Sequence, residues 1–286
     1  MKVFFPRALP ELWPLMAEYP AGAVLAGGTD FLVKMRKNGD RPPALFALER
    51  LAELRQIAVQ GGELHIGAAV TISELMAGDI VRKALPALWQ AAAVLGSPPV
   101  RHSATLGGNV CTASPAGDTL VPLYVFDAEV TVASAAGRRR LPIGGFIAGP
   151  GRTALAPGEI VTGVVVPLPP AGAFSAYYKV GKRQAMAIAV ASLAVCLEQA
   201  GDGSVEKIRL AWGSVGPTVT SLPAVEAFLR GRRLSPAVLR QAGDMAAAAV
   251  RPIDDVRAGA DYRRQLAGNL LLKIAAVGDR EQEDGR

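Results

Sequence analysis

The stretch Pro167-Leu168-Pro169-Pro170-Ala171-Gly172 limits what this chain can fold into more than any other part of the sequence. Proline gives no amide to a helix or a sheet ladder, so three prolines within four residues, followed closely by glycine, end any regular element. The chain therefore breaks near residue 172, and at 286 residues both parts are long enough to bury a core.

The two parts carry different patterns. Before the break, Pro10–Tyr19 reads as a short helix, Ala23–Ala26 as a strand running into Gly27 and Gly28, and Ala44–Leu48 as a second strand. The pattern changes near residue 60, where Gly61 and Gly62 form a turn. Glu63–Ala69 then alternates as a strand, with Leu64, Ile66 and Ala68 on one face. Ile72–Met76 starts a helix with Thr71 or Ser73 as its cap, and Pro86–Leu95 makes another. The Val- and Ile-rich runs Ala128–Ala133 and Ile160–Val166 read as strands. Behind the break, Ala185–Leu197 sets Met186, Ile188 and Val190 against Ala187, Ala189 and Ala191, a strand period, and Val205–Trp212 pairs with it. Leu222–Leu229, Ser235–Val250 and Ala260–Val277 read as helices, with Ser235 a cap and Pro236 at the first helical position. Strands first and helices after is an α+β order. Gly278–Arg286 reads as a charged, frayed tail.

Cysteine and histidine counts exclude several chemistries. Cys111 and Cys196 lie 85 residues apart, so the chain builds neither a four-cysteine iron–sulfur cluster nor a four-cysteine zinc site. His65 sits on the alternating strand with no second histidine or carboxylate at ligand spacing, so no metal site is expected and any redox centre is organic or shared. With no disulfide framework and no secretory signal pattern, the cytoplasm is the expected compartment. The longest uncharged apolar run, Ala185–Leu197, has 13 residues, short of the about 20 that a membrane span needs. The net charge of +6 is scattered in small groups such as Arg138-Arg139-Arg140 and Arg230, Arg232 and Arg233. Nucleic-acid binders concentrate such charge in one stripe with aromatic residues between, so these groups read as solvated surface loops, or as a docking face for an acidic subunit.

Three segments carry chemistry. Ala26-Gly27-Gly28-Thr29-Asp30 follows a strand directly, and Thr105-Leu106-Gly107-Gly108-Asn109 lies between a helix and the next strand. Neither is a Rossmann or P-loop fingerprint. Either segment alone reads as a tight turn. Together they suggest backbone that approaches a pyrophosphate, with adjacent amides converging on its oxygens and Thr29, Asp30, Thr105 and Asn109 adding side-chain bonds. The third segment, Ala113-Ser114-Pro115-Ala116-Gly117-Asp118, ends in a carboxylate that accepts from a polyol or caps a helix over Thr119–Phe126.

The segments AGGTDFLVKMR, GSPPVRHSATLGGNVCTASPAGDTLVPLYVFDAEV, GPGRTAL and YYKVGKRQAMAIAVASLAV resemble the FAD-binding medium subunit of the molybdenum hydroxylases. That family includes xanthine dehydrogenases and carbon monoxide dehydrogenase, and the likeness runs in order from the N-terminus to about Val277. It implies an α+β fold with an FAD-binding domain of the vanillyl-alcohol-oxidase (PCMH) type over 1–172, in subdomains of about 1–60 and 61–172, and a small α+β domain over 173–286. Position by position, it makes Val24, Leu25, Ala26, Gly27, Gly28, Thr29, Asp30 and Phe31 the first pyrophosphate loop. Thr105, Gly107, Gly108 and Asn109 become the second. It makes Asp118 the ribityl partner, sets Leu95 and Val161 beside the flavin, and puts Lys179 near the ring's polar edge, where a cation stabilises reduced flavin. Without the resemblance Lys179 reads as a surface lysine. His102 stands where many relatives have Asn and reads as a polar loop residue, and Cys111 reads as buried packing.

The resemblance implies an electron-transfer subunit with FAD held between the two N-terminal subdomains. Electrons arrive from the [2Fe–2S] clusters of a small partner subunit and leave to NAD or another acceptor. Substrate is hydroxylated at a molybdenum cofactor in a large subunit, within a heterotrimer. No residue of this chain is then catalytic. The alternatives are a self-contained FAD oxidase or reductase of the same fold, for which only His65 and His102 could supply a histidyl flavin link, and a scaffold without cofactor.

Overall fold

The computed structural model describes residues 1–275, and the tail at 278–286 lies outside them. The chain divides into two compact units, both α+β. The first comprises Met1–Asp79, Gly96–Ala113 and Asp127–Leu168. The second comprises Ile80–Leu95, Ser114–Phe126 and the chain from Pro169 onward.

The first unit contains two sheets. Strands Lys2–Phe4 and Ala23–Leu25 flank Ala44–Ala47 in a parallel three-stranded sheet. Against it pack Leu9 and Leu12 of helix Leu9–Glu18, with Leu48, Leu51 and Leu54. The second sheet is antiparallel, in the order Ile57–Gln60, Glu63–Gly67, Ile160–Pro167, Glu129–Ser134, Gly137–Pro142. The alternation read along Glu63–Ala69 holds, since Leu64 and Ile66 are fully buried while Glu63 and His65 are not. Helix Ile72–Ala77 is capped by Thr71, not Ser73: Thr71 accepts from the Glu74 amide and Glu74 reaches back to the Thr71 amide, a complete capping box. Arg138, Arg139 and Arg140 lie on a strand rather than in a loop. Carboxylates hold them there, with Arg139 forked onto Glu159 at 2.7 and 2.6 Å and Arg140 within 3.5 Å of Glu63 and Glu129.

The second unit is built on one antiparallel sheet, Phe174–Val180, Ala191–Gln199, Val205–Gly213 and Thr220–Ser221 in chain order. Helices Pro223–Leu229, Pro236–Ala249 and Ala260–Asn269 follow, and the last passes into a 3-10 turn at Leu270–Ile274. Their apolar faces enclose Leu193, Val195, Leu210 and Trp212, and each such side chain contributes about 1.5–3 kcal/mol on burial. The Trp212 indole donates to the Ala267 carbonyl at 3.0 Å, so its one polar atom is satisfied. Helices Pro86–Ala93 and Leu120–Val125 also pack on this sheet.

One expected strand is half absent. Ala185–Leu197 was expected to be extended throughout, but the strand begins at Ala191, and residues 181–189 form a loop closed by the Val190 amide on the Val180 carbonyl. Met186 takes a left-handed φ of +55°, and it and Ile188 are exposed. Alternation of alanine with larger apolar residues set the expected period. The buried Arg263, which donates to the Val190 carbonyl at 2.8 Å and to Asp255 at 2.7 Å, fixes where the loop ends. Among the described residues no helix is long and apolar enough to cross a membrane.

Candidate functional site

In the first unit the two glycine segments lie against each other. A Cβ on Gly27 would stand 1.7 Å from the Ser103 carbonyl oxygen, so only glycine lets this loop rest on the backbone that leads into Thr105. Gly28 is left-handed at φ +70°. The loop runs from strand Ala23–Leu25, where Val24 is exposed, into helix Phe31–Asn38. Asp30 pairs with Lys34 at 3.4 Å. Among the described residues the amides of Gly27, Gly28, Thr29 and Asp30 donate to no protein oxygen. Unspent amides ahead of a helix N-terminus are a phosphate-binding arrangement.

The second segment opens a helix, Leu106–Thr112, instead of leading into a strand. Its amides from Leu106 to Asn109 are spent. Leu106 donates to the Val70 carbonyl at 2.9 Å and Gly107 to Ala68 at 3.0 Å, while Gly108 donates to Thr105 Oγ1 at 3.0 Å and Asn109 to the Thr105 carbonyl at 3.0 Å. The donors that a helix start usually leaves orphaned are thus satisfied within the unit. Gly107 is packed, since a Cβ there would lie 2.6–2.9 Å from Ala68. Gly108 is open: its Cβ would meet only Thr105 Oγ1, at 2.9 Å.

In the second unit Asp118 is 8% exposed and does not cap the following helix, whose N-cap is Thr119. Its two oxygens are held separately. Tyr177 donates its hydroxyl to Oδ1 at 2.8 Å, and the Lys179 ammonium donates to Oδ2 at 2.7 Å and to the Val94 carbonyl at 3.2 Å. Tyr177 and Lys179 are two apart on strand Phe174–Val180 and so share a face. Burial pushes the Asp118 carboxyl above its usual range, opposed by Lys179 and then by Tyr177. Burial, then the Asp118 charge, holds the Tyr177 phenol well above its ordinary value, so it stays a donor. A carboxylate has about four acceptor positions, of which two are used here, leaving room for two hydroxyls.

The remaining residues are placed more simply. Leu95 and Val161 are both buried, the latter on strand Ile160–Pro167. His102 is exposed, and His65 lies 3.5 Å from Glu63. Cys111 is exposed, against the expectation of buried packing, yet desolvation holds its thiol up to about 11, so it is protonated at neutral pH. Tyr177 escaped sequence reasoning, although its two-residue spacing from Lys179 was a usable signal.

Residues 1–169 match the model of the FAD binding domain in molybdopterin dehydrogenase, and 176–276 match the CO dehydrogenase flavoprotein C-terminal domain. The chain belongs to the FAD-binding subunits of the molybdenum hydroxylases. It is 32% identical over 262 residues to a xanthine dehydrogenase FAD-binding subunit of Escherichia coli O157:H7, covering 91% of this chain and 89% of the relative. It is 31% identical over 269 residues to the carbon monoxide dehydrogenase medium chain of Hydrogenophaga pseudoflava, covering 94% and 93%. A solved carbon monoxide dehydrogenase of that organism superposes with a TM-score of 0.90 at 31% identity, over 96% of this chain and 95% of the other. As a member of this oxidoreductase family the chain carries an FAD-binding domain, and its residues fit that cofactor: open amides at Gly27–Asp30 suit a pyrophosphate, and Asp118 suits a polyol.

Proposed function

We propose that this chain is the electron-transfer subunit of a cytoplasmic molybdenum hydroxylase. It receives electrons from [2Fe–2S] clusters on a small partner subunit and delivers them to NAD or another acceptor, while hydroxylation takes place at a molybdenum cofactor on a large subunit. The unspent amides from Gly27 to Asp30 carry the reading. Bound FAD would supply the redox chemistry, and this chain's residues bind and orient it.

The first loop, Val24 to Phe31, takes the pyrophosphate through backbone donors. Thr105, Gly107, Gly108 and Asn109 contribute mainly an open surface at Gly108, since the amides of Gly107, Gly108 and Asn109 are committed. Asp118 accepts ribityl hydroxyls, Leu95 and Val161 line the flavin, and Lys179 supplies a cation whose charge is partly balanced by Asp118. On this reading the functional division is 1–172, with subdomains of about 1–60 and 61–172, and 173–286. Neither Cys111 nor Cys196 is in a disulfide, in agreement with a reducing compartment.

Affinity purification of the native complex tests the assignment. The expected result is a yellow preparation containing an iron–sulfur chain and a molybdenum chain. A chain that purifies alone and oxidises a small organic substrate at full rate would overturn it.

A further inference from the structure

Asp118 is held by more than its lysine. Ser192 stands opposite Lys179 on the neighbouring strand, near enough to the phenol that donates to Asp118 Oδ1 to act on it. The Tyr177 ring is 7% exposed and Ser192 1% exposed. The Tyr177 amide donates to Gln90 Oε1 at 2.7 Å, which ties this edge strand to helix Pro86–Ala93. Opposite Ser192 in the sheet stands Gly213, where a Cβ would come within 2.4 Å of the serine oxygen. Tyr177 and Lys179 thus donate to Asp118 from two sides in one buried cluster, with Ser192 beside the phenol. Lys179 alone would leave the carboxylate plane free to turn about its Oδ2 contact.

We infer that Tyr177, with Ser192 beside it, is the positioning residue that fixes the Asp118 carboxylate so that its unused acceptor sites meet the hydroxyls of the FAD ribityl chain. The inference rests on the FAD reading above and adds two residues to it. Tyr177 touches the carboxylate and acts through it. Lys179 and Tyr177 are the ionisable groups acting on Asp118. Helix Pro86–Ala93 brings no charged side chain, and helix Leu120–Val125 brings only Tyr124, held neutral by a pKa pushed up to about 12 by burial.

The test measures FAD affinity of the full chain by flavin fluorescence across pH, together with thermal unfolding. Tyr177→Phe keeps the ring and removes only the donor. It is expected to weaken FAD binding about tenfold, the worth of one hydrogen bond to a charged group, and to move the acid limb of binding to higher pH, because Asp118 loses a group that favours its ionised form. Ser192→Ala should weaken binding about threefold with a smaller shift of that limb. A purely structural tyrosine would lower the unfolding temperature and leave both readouts of the folded protein unmoved; that result overturns the inference while wild-type binding upholds the cofactor reading. A wild-type chain that takes up no FAD overturns both.

Discussion

The two Gly-Gly segments are alike in sequence and opposite in hydrogen-bond accounting. Gly27 and Gly28 sit in a loop whose amides are unspent, and Gly107 and Gly108 sit in a first helical turn whose amides are all taken, two of them by carbonyls of Ala68 and Val70. The glycines serve different needs as well. Gly27 allows backbone to touch backbone at Ser103, whereas Gly107 allows a helix to lie on Ala68 and Gly108 leaves a bare surface. A glycine pair therefore reports close approach, and the partner approached can be the protein itself. Only the amide count separates a ligand cradle from a packing contact.

The largest effect is expected at Gly27. Gly27→Ala puts a Cβ 1.7 Å from the Ser103 oxygen and 2.5 Å from its carbon, both backbone atoms that cannot rotate away. Overpacking of this kind costs about 3 kcal/mol or more, so the first unit should unfold at markedly lower temperature and lose FAD together with its fold. An unaltered melting curve would mean the two segments do not lie together. Gly107→Ala comes next, with contacts of 2.6–2.9 Å to Ala68. We expect a loss of about 2 kcal/mol in denaturant unfolding, with FAD affinity of the folded fraction nearly unchanged. A selective loss of affinity would return the second segment to the class of amide cradles.

How much of this was legible beforehand depended on whether the information was local. Strand Glu63–Gly67, the helix capped by Ser235 and the strand starting at Ile160 announce themselves through periodicity and capping within a dozen residues. The spent amides of 106–109 do not, because two of their acceptors, Ala68 and Val70, lie more than 35 residues earlier and arrive only through tertiary packing. The contact of Gly27 with Ser103 is longer in range still. The loop at 181–189 shows the converse failure: local alternation mimicked a strand, and a buried arginine from a distant helix decided otherwise. At the site, Asp118 was legible as a candidate polyol acceptor from its own segment, and Lys179 came from resemblance. Their direct ion pair and the tyrosine beside them became visible only when strand Phe174–Val180 placed residues 177 and 179 on one face.

Gly108→Ala sharpens the comparison from the ligand's side. The added methyl meets only Thr105 Oγ1, at 2.9 Å, so the fold should lose about 1 kcal/mol as the threonine cap shifts. If the open face of Gly108 is where FAD comes close, affinity should fall about tenfold, beyond what so small a loss of stability explains. Titration with FAD at a temperature well below unfolding reads the two effects separately. Unchanged affinity would mean that the open face of Gly108 faces water.

Thr105→Val is expected to have the smallest effect and supplies the control for that reading. Valine fills the same buried space, and the Gly108 amide loses its only acceptor. Loss of an N-cap costs about 1 kcal/mol, similar to the stability loss expected for Gly108→Ala, but no atom is added to the open surface. FAD affinity should therefore stay within about twofold of wild type, because the substitution leaves the bare surface at Gly108 unchanged. Tighter binding would mean that the released Gly108 amide reaches the pyrophosphate, and that the second segment differs from the first only by its threonine. Binding weakened as much as in Gly108→Ala would mean that the cap, and not the bare glycine surface, is what the cofactor needs.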